Sequence, residues 1–474
     1  MLIKAKLDEK KAGTYIFNKK TTAIANACLT KAIFQEIWNG FCCHAGRIEF
    51  KTADELTFKI GDVATLRQPE KGYVMDICKE GVSIAASDEK NLTYGFFALL
   101  ERISPVCTKQ GQEEFAVDCC RVEDRAEVQV RMTHLCIFPE TTLAFVRKFI
   151  RLAAFLRYTH IVVEFWGTLQ YDCLKELAWK EYSYTKDEIR PLFQEARELG
   201  IEVVPMFNHW GHATGCRVKT GKHVVLDQNL SLAPLFSASG WEWDLSNPDV
   251  IDLHKKIRNE LIELCGEGKY FHIGCDEAYS AKTEEDFKRI VKYINVASKE
   301  LEQDGRKTIM WGDMLLHEST LKRKTDNNYY LMCPNVKLQK ILLDILPRSI
   351  IIADWEYEAR KYPIDTALFF KEKGFEVLCC PWDRNGDNII ASAKTIKNNN
   401  LLGVLHTTWQ SIGSIGGMWA LAYSAALSWG SASFKSDCSY QGIEVATILR
   451  KLDFPNGNYE NSGWMKNQIR EEFS

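Results

Sequence analysis

From about residue 126 onward, short apolar runs recur with helical stretches between most of them, and this rhythm constrains the fold more than any other feature. The runs are VQVRMTHLCIF (128–138), HIVVEFW (160–166), IEVVPMF (201–207), YFHIGC (270–275), TIMWGD (308–313), SIIIADW (349–355), FEVLCC (375–380) and LLGVLHTTW (401–409). Most are apolar throughout rather than alternating, the texture of parallel strands covered on both faces. Eight such strands in about 290 residues predict an α/β fold with a closed parallel sheet wrapped by helices, a (β/α)8 TIM barrel. The rival, an open doubly wound sheet, would carry a Gly-rich turn after its first strand, and none occurs. Local signals agree. Thr185 with Glu188 makes a capping-box pattern before LFQEARELG, and Gly200 supplies the stop. Pro191 predicts an irregular first turn in that helix. Asn247-Pro248 opens a helix whose apolar positions 250, 253, 257, 261 and 264 follow a helical period.

Residues 1–118 read differently, as a smaller mixed α/β domain. Strand candidates are GTYIFN (13–18), RIEF (47–50), LTFKI (56–60) and VSIAAS (82–87), followed by the helix NLTYGFFALLERI with one apolar stripe at Phe96, Phe97, Leu99, Leu100 and Ile103. Carboxylates and histidines do not cluster in this stretch, so it is expected to be a non-catalytic support. Residues 119–474 then form the barrel, ending in a polar tail after Phe454 that is expected to pack weakly.

Charge and cysteine content exclude some partners. With 60 Lys+Arg against 63 Asp+Glu among 474 residues, the formal charge is −3. There is no basic excess to displace counterions from a nucleic acid. No apolar run approaches the roughly 18 residues of a membrane helix. The start, MLIKAKLDEKKAGTY, lacks a signal-peptide apolar core, so a cytoplasmic location is expected. Three pairs of the 16 cysteines are adjacent (Cys42–Cys43, Cys119–Cys120, Cys379–Cys380), and no C-x-x-C occurs. Sequence neighbours rarely bridge, so the cysteines read as reduced small hydrophobes.

In a barrel, catalytic groups belong at the C-terminal strand ends. Those positions hold His272-Ile273-Gly274-Cys275-Asp276-Glu277, Trp311-Gly312-Asp313, Asp354-Trp355-Glu356-Tyr357, Trp382-Asp383 and Trp409-Gln410, while Asn208-His209-Trp210-Gly211-His212 follows the third strand. Trp166 closes the second. Aromatic faces beside carboxylates suit a sugar ring, whose C–H faces stack and whose hydroxyls need acceptors. Each element alone has a plainer reading. A single Trp at a strand end packs a rim, and two acids can simply open a helix. The recurrence of both at independent strand ends favours the pocket. His209 and His212 could ligate a metal, but no further ligand accompanies them at a familiar spacing. No cofactor is expected.

The segment FHIGCDEAYS resembles the H-x-G-x-D-E signature of family 20 glycoside hydrolases, the β-N-acetylhexosaminidases, and its Cys275 version looks most like the hexosaminidase D-type branch. YTKDEIRPLFQEARELGIEVVPMFNHWGH, DLSNPDV and IMWGDM are similar to further family segments, and NLTYGFFALLERI to a helix of the non-catalytic domain preceding many family barrels. The resemblance spans roughly residues 10–430. It implies a retaining exo-β-N-acetylhexosaminidase acting on glycans with terminal β-linked GlcNAc or GalNAc by substrate assistance. Glu277 would be the general acid and base, and Asp276 would orient the acetamide and carry the standing charge, with Glu277 kept protonated. Because strand residues alternate faces, the two can serve one sugar only if the chain bends there. His272 would support the pair. The implied substrate-binding set is Arg131 (for the C3 and C4 hydroxyls), His212, Trp311, Asp313, Trp355, Tyr357 (a donor to the acetamide carbonyl), Trp382 and Trp409. Where many members have Trp-x-Glu, this chain has Trp409-Gln410-Ser411, so Glu356 or Asp383 would have to replace that contact. The resemblance admits a homodimer, although no residue here argues for one. The other readings are a non-catalytic amino-sugar-binding relative and a metal-dependent barrel hydrolase using His209 and His212.

Overall fold

The computed structural model describes residues 2–17, 21–42, 48–107, 113–165, 167–213, 225–320, 330–383, 385–409, 415–430 and 439–452. Trp166, Gln410, Ser411 and the polar tail, about which the sequence raised expectations, lie outside these residues. The first region is a sheet built from β1 (Leu7–Phe17), β2 (Thr22–Asn26), β3 (Glu49–Ala53), β4 (Thr57–Gly61), β5 (Tyr73–Cys78), β6 (Gly81–Ala86), β7 (Ser104–Cys107) and β8 (Glu113–Asp124). Its order is β1-β8-β5-β6-β4-β2-β3, with β7 also pairing β8. The pairings are antiparallel except β2 with β3. Because β8 runs to Asp124, this sheet ends there and not at residue 118. The expected boundary cuts through a strand.

The helix Glu89–Arg102 is capped by the Asp88 side chain accepting from Asn91 N–H and lies against the sheet. Gly95 permits the close approach, since a Cβ there would meet Ile84 at 2.8 Å. Phe97 meets Phe155 of the barrel helix Leu143–Phe155 at 5.5 Å between ring centroids, and Phe41 stacks on the same ring at 5.5 Å. The support domain is thus docked on the barrel through aromatic packing.

The barrel is closed by parallel strands β9 (Val130–Ile137), β10 (His160–Phe165), β11 (Glu202–Met206), β12 (Tyr270–His272), β13 (Lys307–Trp311), β14 (Ile351–Asp354), β15 (Glu376–Cys379) and β16 (Gly403–His406), with β16 pairing back onto β9. Seven fall within the apolar runs of the sequence, and β13 starts one residue ahead of its run, at Lys307. The helix Lys186–Glu198 carries the reciprocal Thr185/Glu188 capping box and accommodates Pro191. Asn247 caps Pro248–Cys265 through Asp249 N–H. No helix among the described residues is long and apolar enough to cross a membrane. The twelve described cysteines are unbridged.

Where β9 begins, the structure corrects one expectation. Arg131 is the second residue of β9, at the opposite end of the barrel from the strand ends that carry the acids. Its guanidinium donates to the carbonyls of Arg157 (2.9 Å), Val128 (2.6 Å) and Gln129 (3.3 Å) and to Tyr94 Oη (3.1 Å), and it lies over the Trp429 ring. Arg157 lies beside it, paired with Asp124 at 3.3 Å. Arg131 therefore fastens the base of the barrel to the support domain and is not a sugar-binding residue. Six residues of strand, about 20 Å, separate it from the far end of β9.

Candidate active site

Beyond β12 the backbone leaves the regular strand. Gly274, Cys275 and Glu277 have φ of 65°, 73° and 46°. A Cβ at Gly274 would sit 2.0 Å from Asn208 Oδ1, and one at Gly211 would sit 1.9 Å from the Asp276 carbonyl oxygen, so both positions demand glycine. The left-handed residues turn the chain so that consecutive acids, which a strand would send to opposite faces, point the same way. Left-handed non-glycine residues are costly and concentrate at functional sites. His272 supports this bend, because its Nδ1 accepts the Gly274 N–H at 3.0 Å. Burial, with His134 and His209 nearby, holds His272 well below the usual histidine range and hence neutral.

The two acids converge on one atom. His212 Nε2 lies 2.8 Å from Glu277 Oε2 and 3.4 Å from Asp276 Oδ2. Asp313 completes the group by accepting the Glu277 N–H at 2.8 Å and Trp355 Nε1–H at 3.2 Å. Burial, followed by the charges of Asp313, Glu277 and Glu164, pushes the Asp276 carboxyl well above its ordinary value. Burial also raises Asp313, to about 7, against the hydrogen bonds it accepts. Burial and the neighbouring carboxylates thus work against the standing charge expected on Asp276. Crowding by like charges in a buried site favours a proton on Asp276.

The structure brings the rim aromatic residues together. Trp311 is fully buried, 4.3 Å from His272 and 6.1 Å from Trp409 between centroids. Trp355, Tyr357 and Trp382 form a row with successive centroid spacings of 5.4 and 5.2 Å. Trp409 Nε1 donates to Tyr357 Oη at 2.8 Å. Thr407 Oγ1 lies 2.9 Å from that oxygen and itself donates to the Pro381 carbonyl, so the Tyr357 proton is engaged with Thr407 instead of facing an acetamide carbonyl. Glu356 is also corrected. Its carboxylate accepts from Thr366 Oγ1, as does that of Asp354, and so belongs to the packing between β14 and the helix Asp365–Glu372.

His209 and His212 do not share a metal. His209 donates through Nδ1 to the Phe207 carbonyl at 2.6 Å and accepts from Arg258 at 3.1 Å, and burial pushes it down to about 3. Cys275 is likewise structural, its thiol directed to the Ile273 carbonyl. The sequence missed two residues in the segment preceding Asn247. Trp241 donates to the Glu277 carbonyl at 2.7 Å and packs on His212 at 4.4 Å. Glu242 accepts the N–H groups of Tyr279 and Ser280, fixing the chain just beyond the acids. Their only signal was the unusual His, Gly and Trp content of the 208–247 stretch.

The described residues thus form a (β/α)8 barrel with a bent end at β12, converging carboxylates and a row of tryptophans at one rim. Residues 166–382 match the family model described as Glycosyl hydrolase family 20, catalytic domain. In sequence the chain is similar to the lacto-N-biosidase of Bifidobacterium bifidum, at 19 % identity over 323 residues. That match covers 64 % of this chain but 28 % of the relative, so the chain spans less than a third of that protein's length. In structure it resembles the exo-β-N-acetylglucosaminidase of Vibrio harveyi (TM-score 0.68, 14 % identity, 96 % of this chain and 78 % of that one). It also resembles the β-N-acetylhexosaminidase of Bacteroides fragilis (TM-score 0.65, 14 % identity, 99 % and 96 %). At these identities the structural likeness is one of fold: a barrel preceded by an α/β domain.

Proposed function

We propose that the protein is a retaining exo-β-N-acetylhexosaminidase of the hexosaminidase D type, releasing terminal β-linked GlcNAc or GalNAc with the substrate's 2-acetamido group as nucleophile. The observation that carries this reading is the convergence of Asp276 and Glu277 on His212 at a bent strand end. Two ordinary carboxylate roles, nucleophile and acid, call for groups on opposite faces of the sugar. Adjacent residues sharing one imidazole suit a division in which only one acid acts on the leaving group. Glu277 then gives its proton to the glycosidic oxygen as the C1–O bond breaks. The acetamide carbonyl oxygen bonds to C1, closing a positively charged oxazolinium ring. Asp276 accepts the acetamide N–H and pairs with that ring.

The raised proton affinity of Asp276 gives this step its selectivity. Burial and like charges raise the carboxyl's proton affinity, and its proton leaves to solvent as the acetamide N–H docks against it and is regained from solvent when the product leaves. The interaction is strongest where charge is greatest, in the transition state. Glu277, now ionised, takes a proton from water as that water opens the oxazolinium at C1, and so returns to its starting form. His212, Trp241 and Asp313 hold Glu277 through its side chain, carbonyl and N–H respectively.

The test is hydrolysis of chromogenic β-GlcNAc and β-GalNAc, with and without a thiazoline analogue of the oxazolinium. Turnover of at least one substrate, with competitive inhibition by the thiazoline, is expected. Specific binding of the sugar without turnover would instead make the protein a non-catalytic relative.

A further inference from the structure

On the same side of the barrel as the acids, the C-terminal half of β9 and its neighbour β10 bring together three side chains that the proposed reaction does not use. In the parallel register Cys136 lies opposite Glu164, with His134 two residues earlier on the same face of β9. His134 Nε2 is 3.1 Å from Glu164 Oε2, Cys136 Sγ is 3.2 Å from that oxygen, and Sγ is 3.5 Å from Nε2. All three residues are buried, and they form the one such three-donor group found among the described residues. We propose that His134, Cys136 and Glu164 form a binding site for a borderline-soft divalent cation, zinc by preference.

Geometry and charge both support the assignment. Tetrahedral zinc with ordinary Zn–N, Zn–S and Zn–O bonds separates its ligand atoms by about 3.4–3.6 Å. The N–O and S–O edges need only to open by a few tenths of an ångström, and the S–N edge already fits. The donors are an imidazole, a thiol and a carboxylate, a mixture that favours zinc over magnesium or calcium. Glu164 is buried, yet among the described residues no Lys or Arg makes an ion pair with it. Its contacts are His134, Cys136 and Asn208 Nδ2–H at 2.5 Å. A cation would neutralise this carboxylate and the Cys136 thiolate, whose proton leaves to solvent on binding. Asn208 holds the second Glu164 oxygen and so orients the first. The site lies close to the sugar wall. The His134 ring meets Trp409 at 4.8 Å and Trp311 at 6.4 Å between centroids, both edge-on. Three protein ligands leave a fourth position for water or a sugar hydroxyl.

The test is metal content, which does not depend on turnover. Purified full-length protein is stripped with chelator, reconstituted with zinc or cobalt(II), and desalted. The wild type is expected to retain one zinc per chain by elemental analysis. Its cobalt form should show intense tetrahedral d–d bands and a sulfur-to-cobalt charge-transfer band. Cys136→Ser and His134→Gln should lose the ion, whereas Cys173→Ser, which alters a thiol beside Glu260, should retain it. Failure of the wild type to retain zinc, or equal retention by Cys136→Ser, would overturn the proposal. If the variants fail to fold, as judged by circular dichroism, the wild-type cobalt spectrum decides: an octahedral spectrum without the sulfur band contradicts the site.

Discussion

The two ends of the barrel both bury charge, and they do so in opposite ways. At the base, Arg131 and Arg157 face Asp124, Tyr94 and the Trp429 ring, and the Arg131 guanidinium is held by three carbonyls and a hydroxyl. Asp124 also accepts from Tyr73 Oη and Trp429 Nε1. At the rim, Asp276, Glu277, Asp313 and Glu164 gather charges of one sign on a backbone with three left-handed residues. The base sets its buried cations against an acid, carbonyls and aromatic faces. The rim is unbalanced and strained, and burial among like charges raises the proton affinity of Asp276 and Asp313. Balanced burial holds a fold together, whereas unbalanced burial stores a preference for a ligand that brings the missing charge or takes the proton.

The sharpest way to break this comparison is at the rim. Glu277→Gln should cut hydrolysis of substrates with poor leaving groups by roughly 10²–10⁴-fold and affect activated aryl glycosides much less, since a good leaving group needs little protonation. Equal losses for both would contradict the acid role. Asp276→Asn should lower kcat for every leaving group, because it acts on ring closure.

The base predicts the converse. Arg131→Met leaves Asp124 and Arg157 in place but removes a buried cation and its bonds. It should lower stability in urea unfolding by about 1–3 kcal/mol for each buried acceptor left without its donor. KM of the remaining folded enzyme should stay unchanged, and a raised KM with normal stability would return Arg131 to the sugar pocket.

Much of this was legible in the sequence, and what was not has physical causes. The barrel strands were visible because parallel strands covered on both faces are apolar along their whole length. By contrast the first half of β1, LDEKKAG, is exposed at the edge of its sheet and carries no apolar alternation, so only its GTYIF end reads as strand. The acids and tryptophans were found because each ends a strand. Arg131 is the second residue of β9, and a motif resemblance does not encode how far along a strand a residue lies. Trp241 and Glu242 reach the site by a loop that crosses the rim, and local sequence cannot encode that return. Asp276's preference for its proton depends on Glu164 and Asp313 from other strands, contacts that only the closed barrel creates.

Smaller effects sharpen the rim further. Asp313, and Asp354 with it, are raised by burial to about 7. A carboxyl raised on folding binds protons more tightly in the folded state, so stability is greatest below the unfolded value and falls as pH rises towards 7. Chemical unfolding from pH 4 to 8 should show this decline, and Asp313→Asn should flatten part of it. The smallest expected change is in Trp241→Phe, which removes one hydrogen bond to the Glu277 carbonyl. A loss of about 1 kcal/mol in transition-state stabilisation, read from kcat/KM, is expected.

The most direct test of the account replaces the acetamide hydrogens of an activated β-GlcNAc substrate one by one with fluorine and follows kcat/KM. If the acetamide carbonyl attacks C1 under Asp276's control, the rate should fall steeply with each fluorine, because each weakens the nucleophile. A rate indifferent to fluorination would mean that the acetamide takes no part in the chemistry, and the paired roles assigned to Asp276 and Glu277 would be wrong.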